Sequence, residues 1–240
     1  PIGKTETTYT VPATVTTIET SAFKKCTALT EITIPDGVTY INTSTFEKCS
    51  ALAQINLPNS LTYIDVRAFY DCTSLTEVTL PDGVTRLMDH IFTGCSALEK
   101  VTLPEGITYI GNGAFKNCSA LTEMTVLATT PPTVGTDVFL NVSRTIPVYV
   151  PAASLADYQA AAVWSEFTDL QSISTTGLQT PAMPESIRIQ GGLLHNPQQL
   201  HLTLYDMQGR QVYSGTAATL SQPAGVYVVR CNGASGKVLF

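Results

Sequence analysis

The sequence predicts a β-rich repeat solenoid of 23-residue period, ended by a capping segment and followed by a small antiparallel β-sandwich. Three observations predict it. Cysteines at 26, 49, 72, 95 and 118, phenylalanines at 23, 46, 69, 92 and 115, and leucines at 29, 52, 75, 98 and 121 all recur at a step of 23. Each unit also carries a short apolar alternation and a Pro-containing turn, as in LPDGVTRLMDHIFTGCSALEKVTL over Leu80–Leu103. Charged residues are only 13% and apolar residues 44% of the chain, against a usual charged share of about 25%. High charge with low hydrophobicity would mark disorder. This composition marks a β-rich chain whose surface is polar but uncharged.

Each part of the unit has a local cause. The L-x-x-V-x-L stretch (Leu75, Val78, Leu80) ends in an inward–outward alternation and is expected to be a short strand. Pro35-Asp36-Gly37, Pro58-Asn59-Ser60 and Pro81-Asp82-Gly83 follow as turns, Pro presetting φ and Gly accepting a positive φ. A second extended segment comes next, as in Val38-Thr39-Tyr40-Ile41. The A-F-x-x-C-x-x-L piece then returns the chain to the next rung, expected through a helical or 3-10 turn. One unit cannot bury its own Phe, Cys and Leu; stacking rungs about 4.8 Å apart builds a continuous core and a parallel sheet.

The repeats are expected over 1–126, with Thr8–Val11 as a worn-down first rung, and a cap over 127–174. The rung after Val126 keeps Phe139 but has Val142 in place of the ladder Cys. A short helix is expected over Leu155–Ala162, with Ser154 and Asp157 in capping-box positions. Leu155, Tyr158 and Ala162 form its apolar face, interrupted by Gln159, and Trp164 and Phe167 join it in covering the end of the core. The polar TTGLQTPAMP reads as a linker over 175–184. Alternating segments at Ile187–Ile189, Leu200–Tyr205, Gln211–Tyr213, Val226–Cys231 and Lys237–Phe240, with turns at Asp206–Gly209 and Asn232-Gly233, give the sandwich over 185–240.

The pattern L-P-x-G-V-T-x-I-x-x-x-A-F-x-x-C-x-x-L-x-x-V-x-L closely resembles the BspA-like leucine-rich repeats of bacterial surface proteins, over roughly Tyr9–Val126. That resemblance implies a secreted or surface-bound, adhesin-like protein contacting host matrix proteins or other bacteria. Leu204-Tyr205-Asp206-Met207-Gln208-Gly209-Arg210 and Pro223–Arg230 resemble, more distantly, the C-terminal sorting domain of type IX secretion. The chain departs from that pattern in ending Leu239-Phe240, without terminal basic residues.

Several function classes are disfavoured. A net charge of −6 offers no basic patch for nucleic acid. No apolar run reaches the ~18 residues needed to span a membrane. PIGKTETTYT has no signal-peptide pattern, so any export signal was removed or lies outside this sequence. The cysteines lack the paired C-x₂₋₄-C spacing of structural zinc, and stacked thiols flanked by Phe and Leu act as small hydrophobes that can also satisfy a buried backbone group. Parallel neighbours point the same way and are not expected to form disulfides. Cys231 sits at a strand end. His90 occupies a slot held elsewhere by Ser44, Arg67 and Gly113, and His195 and His201 are scattered over the C-terminal part. No nucleophile, metalloprotease or phosphate-loop motif occurs. Neither catalysis nor a cofactor or metal is expected.

Function is therefore sought in outward columns. One strand stacks Glu31, Gln54, Glu77, Lys100 and Glu123 beside Thr33, Asn56, Thr79, Thr102 and Thr125. The second segment stacks Thr39, Thr62, Thr85 and Thr108 beside Tyr40, Tyr63, Arg86 and Tyr109. Thr and Tyr suit pleated surfaces for their own sake, yet Tyr and Arg are also enriched in binding hot spots. Tyr40, Tyr63, Arg86 and Tyr109, with Glu31, Glu77, Lys100 and Glu123, are the candidate surface for an extracellular protein partner. A ligand-free surface scaffold, or a glycan-binding protein, is the alternative.

Overall fold

The structure, a computed structural model, describes residues 6–173, 188–190, 193–195, 202–205, 211–216, 219–220, 226–231 and 234–239. The chain divides into two compact units, Pro1–Ile173 and Ser174–Phe240.

The first unit is a three-sided solenoid. One side carries β1 (Thr8–Thr10), β3 (Glu31–Thr33), β5 (Gln54–Asn56), β7 (Glu77–Thr79), β9 (Lys100–Leu103), β11 (Glu123–Val126), β13 (Pro147–Pro151) and β14 (Asp169–Ile173). The second carries β2 (Thr17–Ile18), β4 (Tyr40–Ile41), β6 (Tyr63–Ile64), β8 (Arg86–Leu87), β10 (Tyr109–Ile110) and β12 (Thr133–Val134). All their pairings are parallel, and partners within the repeats are 23 apart, as in Ile32↔Ile55 and Tyr40↔Tyr63. The expected worn-down first rung is there, with Tyr9 opposite Ile32. Inward Ile, Val and Leu from both sides meet the Phe, Cys and Leu columns in one core.

The third side is neither helix nor 3-10 helix, contrary to the expected return turn. Ser44 (φ 57) and Lys48 (φ 61) take left-handed backbone, and their counterparts in other rungs do the same. Placing every fourth residue there turns alternate peptides the same way. The N–H groups of Ser44, Phe46 and Lys48 all donate to the next rung, to the carbonyls of Val66, Ala68 and Tyr70, at 2.7–2.9 Å. An i→i+3 helix would spend these donors inside the rung; here they staple rung to rung. His90 belongs to this side (φ 59). A Cβ on Gly113, one rung on, would lie 2.6 Å from the His90 Nδ1, so the missing side chain makes room for the imidazole.

The core columns are continuous. Phe23, Phe46, Phe69, Phe92, Phe115 and Phe139 stack with ring centroids 5.3–5.8 Å apart and planes within 11°. Each ladder thiol from Cys49 onward donates to a Phe carbonyl of the preceding rung: Cys49 to Phe23, Cys72 to Phe46, Cys95 to Phe69 and Cys118 to Phe92, at 3.0–3.2 Å. Cys26, Cys49, Cys72, Cys95 and Cys118 are all buried, and none of the five is in a disulfide. The turn glycines need correction. Only Gly37 has a positive φ, at 107; Gly94 and Gly113, the other positive-φ glycines described, lie on the third side. Gly83 is required for space instead, because a Cβ there would meet the Leu61 carbonyl oxygen at 2.7 Å.

The cap continues the first side rather than leaving it. β13 pairs with β11, and β14, an unexpected strand, pairs with β13. The helix α1 is shorter than expected, Leu155–Ala160. Its capping box does not form: a 3-10 turn over Ala152–Ser154 runs straight into it, so Ser154 has helical backbone and no side-chain cap bond. The extended backbone that a capping side chain needs is absent. Ala162 lies beyond the helix and is exposed; Tyr158 supplies the buried face. Trp164 and Phe167 do close the core, meeting Phe139 edge-on at 5.7 and 5.1 Å. The Tyr158 hydroxyl donates to the Ala128 carbonyl and the Trp164 indole to that of Pro132, both at 2.9 Å.

Arg144 clamps this end. Its guanidinium lies 5.1 Å from the Phe139 ring centroid and 4.9 Å from that of Phe167, and it bonds the Phe139 carbonyl and the Glu166 carboxylate. Replacing Arg144 with Ala should cost about 1–2 kcal/mol, the sum of two partly shielded ring contacts and lost aliphatic packing. Thermal unfolding checks this; an unchanged midpoint would mean the aromatic cap holds without its clamp.

In the second unit, β15 (Arg188–Gln190), β16 (Leu193–His195) and β19 (Thr219–Leu220) form one antiparallel sheet. β17 (Leu202–Tyr205), β18 (Gln211–Gly215), β20 (Val226–Cys231) and β21 (Ala234–Leu239) form another, ordered β18-β17-β20-β21. β16 and β19 were not expected: each is too short to show an alternation. The linker, both expected turns and His201 lie outside the described residues.

Candidate recognition surface

On the second side, Tyr40, Tyr63, Arg86 and Tyr109 hold the same outward position in successive rungs, as two pairs on either side of the gap between β6 and β8. Strand alternation puts Ile41, Ile64, Leu87 and Ile110 inward and fully buried, which forces their neighbours outward. Tyr40 and Tyr63 stack with centroids 4.5 Å apart and planes at 17°. The Arg86 guanidinium lies over the Tyr109 ring, 4.5 Å from its centroid. Partial burial pushes the Tyr63 hydroxyl's pKa up, helped by Asp65 and Tyr40, with Arg86 pulling the other way. The row presents three phenols and one guanidinium. Tyr40 and Tyr63 cover one face of each other and Arg86 covers one face of Tyr109, which leaves the ring edges and hydroxyls for a partner.

The neighbouring threonines are structural. Thr39, Thr62 and Thr108 donate through Oγ1 to the carbonyls of Thr16, Thr39 and Thr85 in the preceding rung, at 3.1–3.4 Å. Their hydroxyls fasten the stack.

The acidic column lies on the first side, so the structure does not bring it together with the tyrosine row. Glu31 faces Gln54, and Glu77 faces Lys100. Lys100 bonds Glu123 at 3.2 Å, and that hydrogen bond, ahead of the nearby charges of Glu123, Glu77 and Glu99, holds its pKa above the usual ammonium value. These exposed charges serve mainly each other, and such pairs contribute little stability. Among the described residues, no group of three or more His, Cys, Asp or Glu is placed to hold a metal ion. No helix among them is long and apolar enough to cross a membrane.

Sequence reasoning missed a break in the stack. Both sheeted sides are interrupted at one boundary: β5 and β7 fall in different sheets, and so do β6 and β8. The third side runs through unbroken, with Arg67, Phe69 and Asp71 donating to Asp89, Ile91 and Thr93. One signal was readable, Ser60 standing where other units have Gly37, Gly83 and Gly106.

Residues 5–122 match the family model for the BspA type leucine-rich repeat region, in six copies. A solved leucine-rich repeat protein of T. pallidum is 25% identical with a TM-score of 0.53, covering 57% of this chain and 77% of its own. A leucine rich cell surface protein of Faecalibacterium prausnitzii A2-165 is 38% identical with a TM-score of 0.51, covering 59% of this chain and 38% of its own. The pneumococcal vaccine antigen PcpA shares the fold, with a TM-score of 0.57 at 22% identity over 70% of this chain and 42% of its own. The chain thus spans less than half the length of the last two. A search of the curated proteins gives no significant match. The repeat region of this chain, residues 5–122, belongs to the BspA-type leucine-rich repeats.

Proposed function

We propose that the first unit is a non-catalytic protein-recognition module of an extracellular or cell-surface protein, adhesin-like in use, and that it engages its partner through the Tyr40–Tyr63–Arg86–Tyr109 row. The observation that carries this reading is the preordered stack, Tyr on Tyr at 4.5 Å and Arg86 on Tyr109 at 4.5 Å. Side chains already held in place lose little entropy on binding, and Tyr and Arg are the residues that interfaces favour. Rings with one face taken by a stacked neighbour favour the edge and hydroxyl contacts of a protein surface. Relatives described as a cell surface protein and a vaccine antigen support the location. The C-terminal unit, with its likeness to a sorting domain, serves export or attachment.

The test is a screen of the intact chain against immobilised matrix proteins, followed by replacement of Tyr40, Tyr63 and Tyr109 with Ser. Affinity for the protein bound should fall at least about tenfold, since each lost hot spot costs ~1–2 kcal/mol or more, while the circular dichroism spectrum holds. Unchanged affinity in a folded variant discards the row as the contact surface. A chain that binds none of the proteins favours a ligand-free surface scaffold.

A further inference from the structure

The break between the third and fourth rungs opens a cleft of about 500 Å³ on the first side, lined by polar groups of Gln54, Asn56, Asn59, Glu77, Thr79 and Asp82. Its origin is legible in the backbone. Ser60 ties its rung backward, accepting from the Gly37 N–H at 3.0 Å and donating to the Val38 carbonyl at 2.8 Å. From the other side, the Pro81–Gly83 corner crowds Leu61, so closely that only glycine fits at 83. The corner is pressed together, the third side keeps its staples, and the strands between lose their ladder. Near the start of β7 the rungs still touch, the Thr76 N–H donating to the Ala53 carbonyl at 3.2 Å. The opening is therefore too narrow to take another β-strand, which would need ~4.8 Å on each side.

The lining selects the ligand. It contains two carboxylates, Glu77 and Asp82, and no Lys, Arg or His, so the lining offers an anionic ligand no charged partner. Gln54, Asn56 and Asn59 add carboxamides, which both donate and accept. A basic peptide would satisfy the carboxylates, but its charged side chains only donate, which leaves the carboxamide N–H groups to whichever backbone carbonyls can reach into the cleft. Sugar hydroxyls are donor and acceptor at once and match both sets. Half-buried Leu57 supplies apolar surface for the C–H face of a pyranose. Asp82 lies five positions after Glu77, a reach of up to ~17 Å, and the volume falls in the range of ligand sites. We propose that this cleft binds a neutral oligosaccharide two to three units long, at a site separate from the tyrosine row.

The experiment uses the intact chain on a printed array of neutral, sialylated and sulfated glycans, with a hexa-arginine peptide as a further probe. The strongest neutral glycan is then taken to calorimetry with Asn56→Ala, Asp82→Asn and the triple Tyr→Ser variant. Binding of a neutral glycan, weakened about tenfold or more by either cleft variant, as for one lost hydrogen bond to a charged or polar partner, and untouched by the triple variant, is the expected result. Binding only to acidic glycans, binding only to the peptide, no glycan binding at millimolar concentration, or a neutral glycan indifferent to both cleft variants would each overturn the assignment. Both cleft positions are at the surface, and a melting curve for each variant separates lost binding from lost fold. Loss of glycan binding in the triple variant alone would move the sugar to the tyrosine row and overturn this proposal; a failed matrix-protein screen would leave it standing.

Discussion

Phe69→Ala should destabilise the solenoid by about 3–5 kcal/mol, the cost of truncating a fully buried Phe and leaving a cavity. Phe69 is wholly shielded and packs between Phe46 at 5.3 Å and Phe92 at 5.4 Å. Its N–H bonds the Ile91 carbonyl, and its own carbonyl takes the Cys95 thiol. The site matters beyond its burial because it borders the broken boundary. Between the third and fourth rungs the two sheeted sides share no ladder, so the Phe stack and the third side carry most of the coupling there. A repeat array is stable through nearest-neighbour contacts, and weakening the poorest one should uncouple the halves. Urea unfolding followed by circular dichroism should show the midpoint lowered and the single transition of the parent broadened or split. Phe115→Ala, between rungs whose sheets are intact, should lower stability without splitting. Equal transition shapes in the two variants would show that the boundary is no weaker than the others.

The period was legible because identical rungs must present identical residues to identical neighbours. Phe, Cys and Leu at 23-residue spacing could only be columns, and the inward partners of each strand followed by alternation. Geometry that depends on the backbone alone was not legible. Nothing in the side chains of Ser44, Arg67 and His90 marks them as left-handed positions, since the ladder between rungs imposes that conformation on whatever residue occupies the slot. The capping box failed for a related reason. Ser154 and Asp157 have the right spacing, but the preceding 3-10 turn settles the Ser154 backbone first. The candidate residues lie in outward columns, Tyr40, Tyr63, Arg86 and Tyr109 on one side and Glu31, Glu77, Lys100 and Glu123 on another. Their stacking and pairing were not foreseen, because a column of outward residues does not say which neighbours turn toward each other. The cleft was least legible of all: it arises from a mismatch between two rungs, and a repeat pattern reports what rungs share.

Raising the pH should unfold the solenoid steeply, and the cysteine ladder should set where. Burial pushes the Cys49 and Cys118 thiols up to about 12 and those of Cys72 and Cys95 well above their ordinary value. Donation of each S–H to a Phe carbonyl holds the neutral form in the same direction. In the unfolded chain these thiols ionise near ~8.5. Above that pH the unfolded state has released protons that the folded state keeps, so ν_U is smaller than ν_N and stability falls as pH rises. Stability is fully present below about pH 8.5 and is lost progressively up to the folded values, at about 1.4 kcal/mol per pH unit for each thiol. Four thiols together give about 5 kcal/mol per pH unit, enough to consume a typical domain's 5–15 kcal/mol within about one to three units. The buried Tyr158 hydroxyl, its pKa also raised by burial, steepens the same fall. Chemical denaturation at a series of pH values should show a plateau to about pH 8 and then this slope. Cys95→Ala should flatten it by about one proton's share, whatever it does to stability at neutral pH. Maleimide labelling gives the same answer from the other side: the ladder thiols should stay silent at pH 8 in the native chain and react once it is unfolded. A stability curve flat between about pH 9 and 11, or ladder thiols labelled at native rates typical of exposed cysteine, would mean that the column opens to water as a matter of course.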